Sequence, residues 1–192
     1  WSAFVVQNEV PTTNYAQMGP STAVRADRPN LRFYNDKSII SSIYTRMSID
    51  VASVDIRHVI TDTEGRYDRD ADSALNQCLC LEPNIDQGPS SFRQDIVLTM
   101  FDKGVAAIVP VLTSSDPATD PNFEIYSLRV GEVIAWYPRH VKVSIYNEAR
   151  GIRQEVTIPK RYVALVENPL YSVMNSPNST LQRLIRKLQL LR

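Results

Sequence analysis

The chain has 192 residues and 21.7 kDa, is 43% hydrophobic and 22% charged, and carries 21 basic against 21 acidic side chains. That length suits one sizeable domain or two small ones that bury roughly 70% of the unfolded surface, and the apolar content excludes wholesale disorder. Zero net charge argues against a charge-driven nucleic-acid coat but leaves room for a local basic face.

Residues 1–35 are mixed and polar, with Pro11, Pro20 and Pro29 and no sustained period, and they read as an extended arm that needs a partner surface. The aromatic and apolar side chains Trp1, Phe4, Val5 and Tyr15 are its candidate contacts. From Asp36 the pattern changes. Ile40, Ile43, Met47, Val51 and Val54 recur at helical spacing, with Asn35 or Asp36 placed to cap the first turn. A strand is expected at about Asp55 to Thr61, closed by the turn-rich Asp62-Thr63-Glu64-Gly65.

Asp72 to Leu81 reads as a short helix ended by Glu82-Pro83-Asn84. Its two cysteines, Cys78 and Cys80, sit two apart, a poor spacing for a disulfide, and they behave most simply as small hydrophobes in a chain that does not rely on disulfides. Pro89-Ser90-Ser91 opens a stronger helix: Phe92, Ile96 and Met100 form a stripe, Val97 and Phe101 widen it, and Gly104 stands where a left-handed cap belongs. Val105 to Leu112 then reads as a buried strand, with Pro110 marking an edge or a bulge, and it is too short to cross a bilayer. No signal-peptide pattern is present, so no membrane partner is expected.

Thr113 to Pro121 is a Ser/Thr/Asp/Pro loop. Beyond it Phe123, Ile125 and Ser127 alternate with polar neighbours, Gly131-Glu132 leads into Val133 to Tyr137, and Val141, Val143 and Ile145 alternate again. Asn147 to Gly151 is a turn, and Val156 and Ile158 lead on to Tyr162 to Val166. Helices first and then a mostly antiparallel meander point to an α+β fold, amphipathic helices packed on a sheet, over residues 36–170. Residues 171–192 read as an amphipathic basic helix: Leu181, Leu184, Ile185, Leu188 and Leu191 line one face, Arg183, Arg186, Lys187 and Arg192 decorate the rest, and no acidic residue occurs from Asn168 onward. Those four cations are the candidate contacts to an acidic partner such as DNA phosphates, although an apolar stripe packed on neighbouring helices explains the segment as well. The chain begins at Trp1 and ends inside this periodic segment, which reads as a piece of a longer protein.

Little in the sequence points to catalysis. There is no Gly-rich phosphate loop, nucleophile elbow, HExxH or CxxC. His58 and His140 lie in or beside predicted strands with no second ligand at metal spacing, and they read as structural. The acidic group Asp62, Glu64, Asp68, Asp70 and Asp72 lacks calcium-loop spacing and is interleaved by Arg66 and Arg69, so a solvated turn with local ion pairs is the simpler reading, and no cofactor or metal is expected.

The order of motifs resembles that of a known family. The run from Ser41 to Val54, followed by a strand, is similar to the first helix of tailed-bacteriophage portal proteins. Leu75 to Val111, "LNQCLCLEPNIDQGPSSFRQDIVLTMFDKGVAAIVPV", resembles that family's signature block: a short helix, a Pro-Asn loop, a helix ending in Gly and an apolar strand. Gly131 to Gly151, "GEVIAWYPRHVKVSIYNEARG", looks like the strand pair that follows, and "RYVALVENPL" (Arg161 to Leu170) stands where the family has the last strand of this region. The usual Gly-Asn-Ala-Tyr after the signature helix is here Gly104-Val105-Ala106-Ala107, and Thr113 to Pro121 looks inserted.

The resemblance covers about residues 37 to 192. It implies a structural, non-enzymatic subunit of a homo-oligomeric ring of about 12 copies, a dodecamer, at one capsid vertex. Double-stranded DNA would pass through the ring during packaging and ejection. Its partners would be the terminase large subunit, the head–tail adaptor and the major capsid protein, and it would be assembled in the host cytoplasm and reside in the virion. This chain would supply the arm and the wing-like region, with the terminal helix leading towards a stem and clip. Another virion module, such as an adaptor or baseplate domain, is the alternative, and a small metal-dependent hydrolase using the Asp62 to Asp72 group comes third.

Overall fold

The structure, a computed structural model, describes residues 38–120 and 122–174. The expected arm over 1–35, with Trp1, Phe4, Val5 and Tyr15, lies outside the described residues, as do Arg183, Arg186, Lys187 and Arg192. The elements run α1 (Ser38–Ala52), β1 (Val59–Thr61), β2 (Tyr67–Asp70), α2 (Ala74–Cys80), α3 (Pro89–Lys103), β3 (Val105–Thr113), β4 (Ile125–Trp136), β5 (His140–Asn147), β6 (Ile152–Pro159), β7 (Ala164–Glu167) and α4 (Tyr171–Met174). This is the expected α+β class.

Local chemistry sets the helix ends. Ser73 caps α2, its hydroxyl accepting from the Asn76 N–H at 3.2 Å. Pro89 opens α3, where its missing N–H costs nothing, and Gly104 closes it at φ 84°, donating its N–H to Met100 O at 2.9 Å. The helices α1 and α3 pack antiparallel. Tyr44 stacks on Phe101 with ring centroids 5.0 Å apart, and at the other end the buried Arg93 donates Nε to Ala52 O at 2.9 Å.

The contact face of α1 differs from the one its periodicity suggests. Tyr44, Ser48 and Ala52 are buried, whereas Ile43, Met47, Val51 and Val54 stay exposed. The helix turns its smaller and hydroxylated residues to α3, which lets the backbones approach closely, and the aliphatic stripe faces outward.

The sheet of five antiparallel strands has the order β6-β5-β4-β3-β7, with α2 and α3 on one face. Between helices and sheet lie Cys78, Phe92, Ile96, Ala106 and Leu128. The other face carries a second core of Ala107, Val109, Val141, Val143, Ile145, Ile158 and Val163. Topology explains how that face is closed. β6 and β7 are opposite edges, four strand spacings or roughly 19 Å apart in a flat sheet. Only Lys160 to Val163 joins them, and part of that link is a tight 3-10 turn. The sheet must therefore curl around its second core.

Three expectations needed correction. The 55–61 strand is only β1, and it pairs with a strand not anticipated, β2, across the Asp62–Gly65 turn. Gly131 does not separate two strands: β4 runs through it for 12 residues, because a side chain there would collide with Ile145. The last strand does not extend the meander but crosses to pair with β3 over Val105 to Ile108. Pro110 lies just past that pairing, beside a register shift against β4, so it is both on an unpaired edge and at a bulge.

Candidate functional site

One face of α2, with Gln77, Cys78, Leu81 and Glu82, projects towards the end of β3 and the start of β4. The Pro83–Gly88 loop holds this geometry. Leu128 N–H donates to Pro83 O at 2.7 Å, and Asn84 Nδ2 donates to Leu128 O and to Gln87 Oε1, each at 2.9 Å. Gln87 in turn donates to the buried carboxylate of Asp95 on α3. Buried amide and carboxylate are satisfied by one another, which rigidifies the loop on the sheet.

Between these elements opens a groove of about 380 Å³, lined further by Ile85, Leu112, Tyr126, Ser127 and Glu148. Its rim is apolar and wet: Leu81 is 73% and Ile85 75% exposed, with Leu112 and Tyr126 about half exposed. Among its lining residues is Ser127, whose buried Oγ has no hydrogen-bond partner among the described residues. At one end stands Arg129, only 2% exposed, which pairs with Asp86, donates Nε to Glu148 Oε1 at 3.0 Å and lies 4.9 Å from the Tyr146 ring centre. The charges that line the groove itself, Glu82 and Glu148, are both negative.

Burial, and then the charge of Glu82, pushes the Cys78 thiol up, so it remains protonated and a weak nucleophile. Its Sγ donates to Ile125 O at 3.4 Å.

The other sequence candidates lie apart from the groove. His58 Nδ1 is 2.7 Å from Ser73 Oγ, in contact with the α2 cap. His140 is exposed at the start of β5. In the acidic group, Asp62 Oδ1 accepts from the N–H groups of Glu64 and Arg66 and so builds the hairpin turn. Glu64 pairs with Arg66, Asp68 with Arg69, and Asp70 with Arg57. Among the described residues no cluster of three His, Cys, Asp or Glu could hold a metal ion, and no helix is long and apolar enough to cross a membrane. The groove itself escaped the sequence reading, because its parts are separated by up to about 70 positions; the one local signal was Leu81 beside Glu82-Pro83-Asn84, an apolar residue where a helix ends.

Compared with known proteins, the chain matches no family model and no curated protein.

Proposed function

We propose that this chain is the wing-like part of a portal-type subunit, a structural element of a ring of about 12 copies that conducts double-stranded DNA at a capsid vertex. The observation that carries the reading is the folding of Leu75 to Val111. It forms a short helix, a pinned Pro83-Asn84 loop, a long helix ended by left-handed Gly104 and a largely buried strand, which is the succession the resemblance implies. The groove supports assembly. Leu81 and Ile85 are too large and too exposed for a surface that only meets water, and a head-to-tail ring needs unlike patches on its two sides. We assign the groove rim to contact with a neighbouring copy. In this reading the subunit binds the packaging motor and the head–tail adaptor, and ATP hydrolysis belongs to the motor.

Native mass spectrometry and negative-stain class averages of the full-length protein test the proposal. Rings of about 12 copies with a central hole are the expected result. A monomer at every concentration overturns it.

A further inference from the structure

Helix α1 has two faces, and among the described residues only one of them has a partner. Tyr44, Ser48 and Ala52 are buried against α3, while Ile43, Met47 and Val51, at 47%, 42% and 47% exposure, form a parallel stripe that Val54 extends past the helix end. The stripe is bordered by the Arg46–Asp50 pair at 3.1 Å, which neutralises itself.

The described chain leaves the fold beside this helix. Tyr171 donates its hydroxyl to Asp102 O at 3.1 Å, and its ring lies over Gly104 at the end of α3. Asp102 follows Phe101, the ring that stacks on Tyr44, so Tyr171 is held at the end of α3 that packs on the N-terminal half of α1. From Met174 onward the sequence offers a six-residue link and then Leu181, Leu184, Ile185, Leu188 and Leu191 at helical spacing, with Arg183, Arg186, Lys187 and Arg192 and no acidic residue. The link reaches at most roughly 20 Å, and a helix over 181–191 would be about 16 Å long against about 22 Å for α1. Reach and apolar stripe match.

We infer that residues 181–191 of the same chain cover the Ile43/Met47/Val51 stripe of α1. The arm and a second copy are the competing occupants. The inference does not rest on the ring reading, because it concerns one chain folding on itself.

The test is a pair of cysteines placed mid-stripe on each side, Met47→Cys and Ile185→Cys, in a Cys80→Ser chain of full length. Both centres are insensitive to the direction in which the segment crosses α1. Mild oxidation of dilute protein should link the two positions within monomers in most chains, as read by peptide mapping and mobility without reductant. A link found only between chains assigns the stripe to a second copy and overturns the inference. So does failure of Ile185→Cys to react while Phe4→Cys links to Met47→Cys, and so does the absence of any link. Met47 and Ile185 are each replaced by a smaller apolar residue, and the melting temperature of the reduced double variant, expected within a few degrees of the parent, controls for folding. Hydrogen exchange gives a second readout in the parent sequence. Val51→Glu, an exposed position, should raise exchange in 181–191 and leave β3 to β5 unchanged. Unchanged exchange in 181–191 overturns the inference independently of any disulfide.

Discussion

Gly131 shows how a single hydrogen atom in place of a side chain can hold a sheet together. A Cβ there would stand 2.6 Å from Ile145 Cγ2 and 3.3 Å from Ser144 O, and Ile145 is fully buried. Gly131→Ala should therefore destabilise the fold by roughly 1–3 kcal/mol, the range for overpacking a filled core, as measured by urea unfolding. Arg129 is a different case. Its guanidinium is buried, but its partners Asp86 and Glu148 are 29% and 41% exposed and can regain water when it is removed. Arg129→Ala should cost about 2–4 kcal/mol, at or below the usual range for breaking a buried pair, and Arg129→Met should cost less because it keeps the packing on Tyr146. A loss under about 0.5 kcal/mol in the Arg129→Ala unfolding curve would mean the pair is exposed to water in solution. Ser127→Ala runs the other way. The hydroxyl it removes is buried without a partner, so stability should hold or rise by up to about 1 kcal/mol.

At the level of elements, the sequence is most readable where end chemistry and periodicity agree, and least where a partner decides. The α3 helix is legible from Pro89 to Gly104 because a proline start, a four-residue apolar period and a left-handed glycine stop are all local signals. In α1 the periodicity marks a helix but not its buried side. Ser48 and Ala52 go inward because α3 presents Phe101 and the Arg93 arm there, and no local rule encodes that choice. β2, Tyr67–Asp70, is invisible to pattern because all four residues are exposed, so it has no buried face to give an apolar alternation. The destination of β7 was equally hidden, since crossing to β3 depends on the curl of the whole sheet. The loop from Ser114 to Glu124 has its own internal order and a pH dependence with a defined sign. The Ser115 hydroxyl donates to Asp120 Oδ2 at 2.7 Å and the Asn122 N–H to Oδ1 at 2.8 Å, and these bonds, the Ser115 bond first, hold the Asp120 carboxyl below its ordinary value. A carboxyl depressed in the folded state adds stability above its unfolded value and loses it as pH falls through the folded one. Exchange of the Asn122 amide should thus show protection at neutral pH that disappears on acidification below the ordinary carboxylate range, while Asp120→Ala removes it at all pH values. Protection that survives in Asp120→Ala would show that the carboxylate does not order the loop.

For the whole molecule, the distribution of apolar surface matters more than any one site. The two cores on either side of the curled sheet are sealed, yet large hydrophobic side chains stand outside on α1 and on the groove rim. These two apolar patches are chemically unlike. The α1 stripe lies beside the exit of its own chain and suits an intramolecular cover. The groove, with Leu81 and Ile85 at its edge, is lined by no residue of α1, α3 or α4, and in the proposed ring it suits a neighbour. Charge substitution separates these roles. Leu81→Glu with Ile85→Glu places two carboxylates at side chains that are 73% and 75% exposed, so the fold loses little and the melting temperature should stay within a few degrees of the parent. If the proposed ring forms through the groove, its assembly should fail in this variant, because two unpaired charges beside Glu82 and Glu148 would have to be desolvated at every subunit boundary. Native mass spectrometry at matched concentration then reads the outcome directly. Monomers with a parental melting curve place the subunit contact at the groove, and intact rings remove the groove from the interface whatever the fate of the α1 stripe.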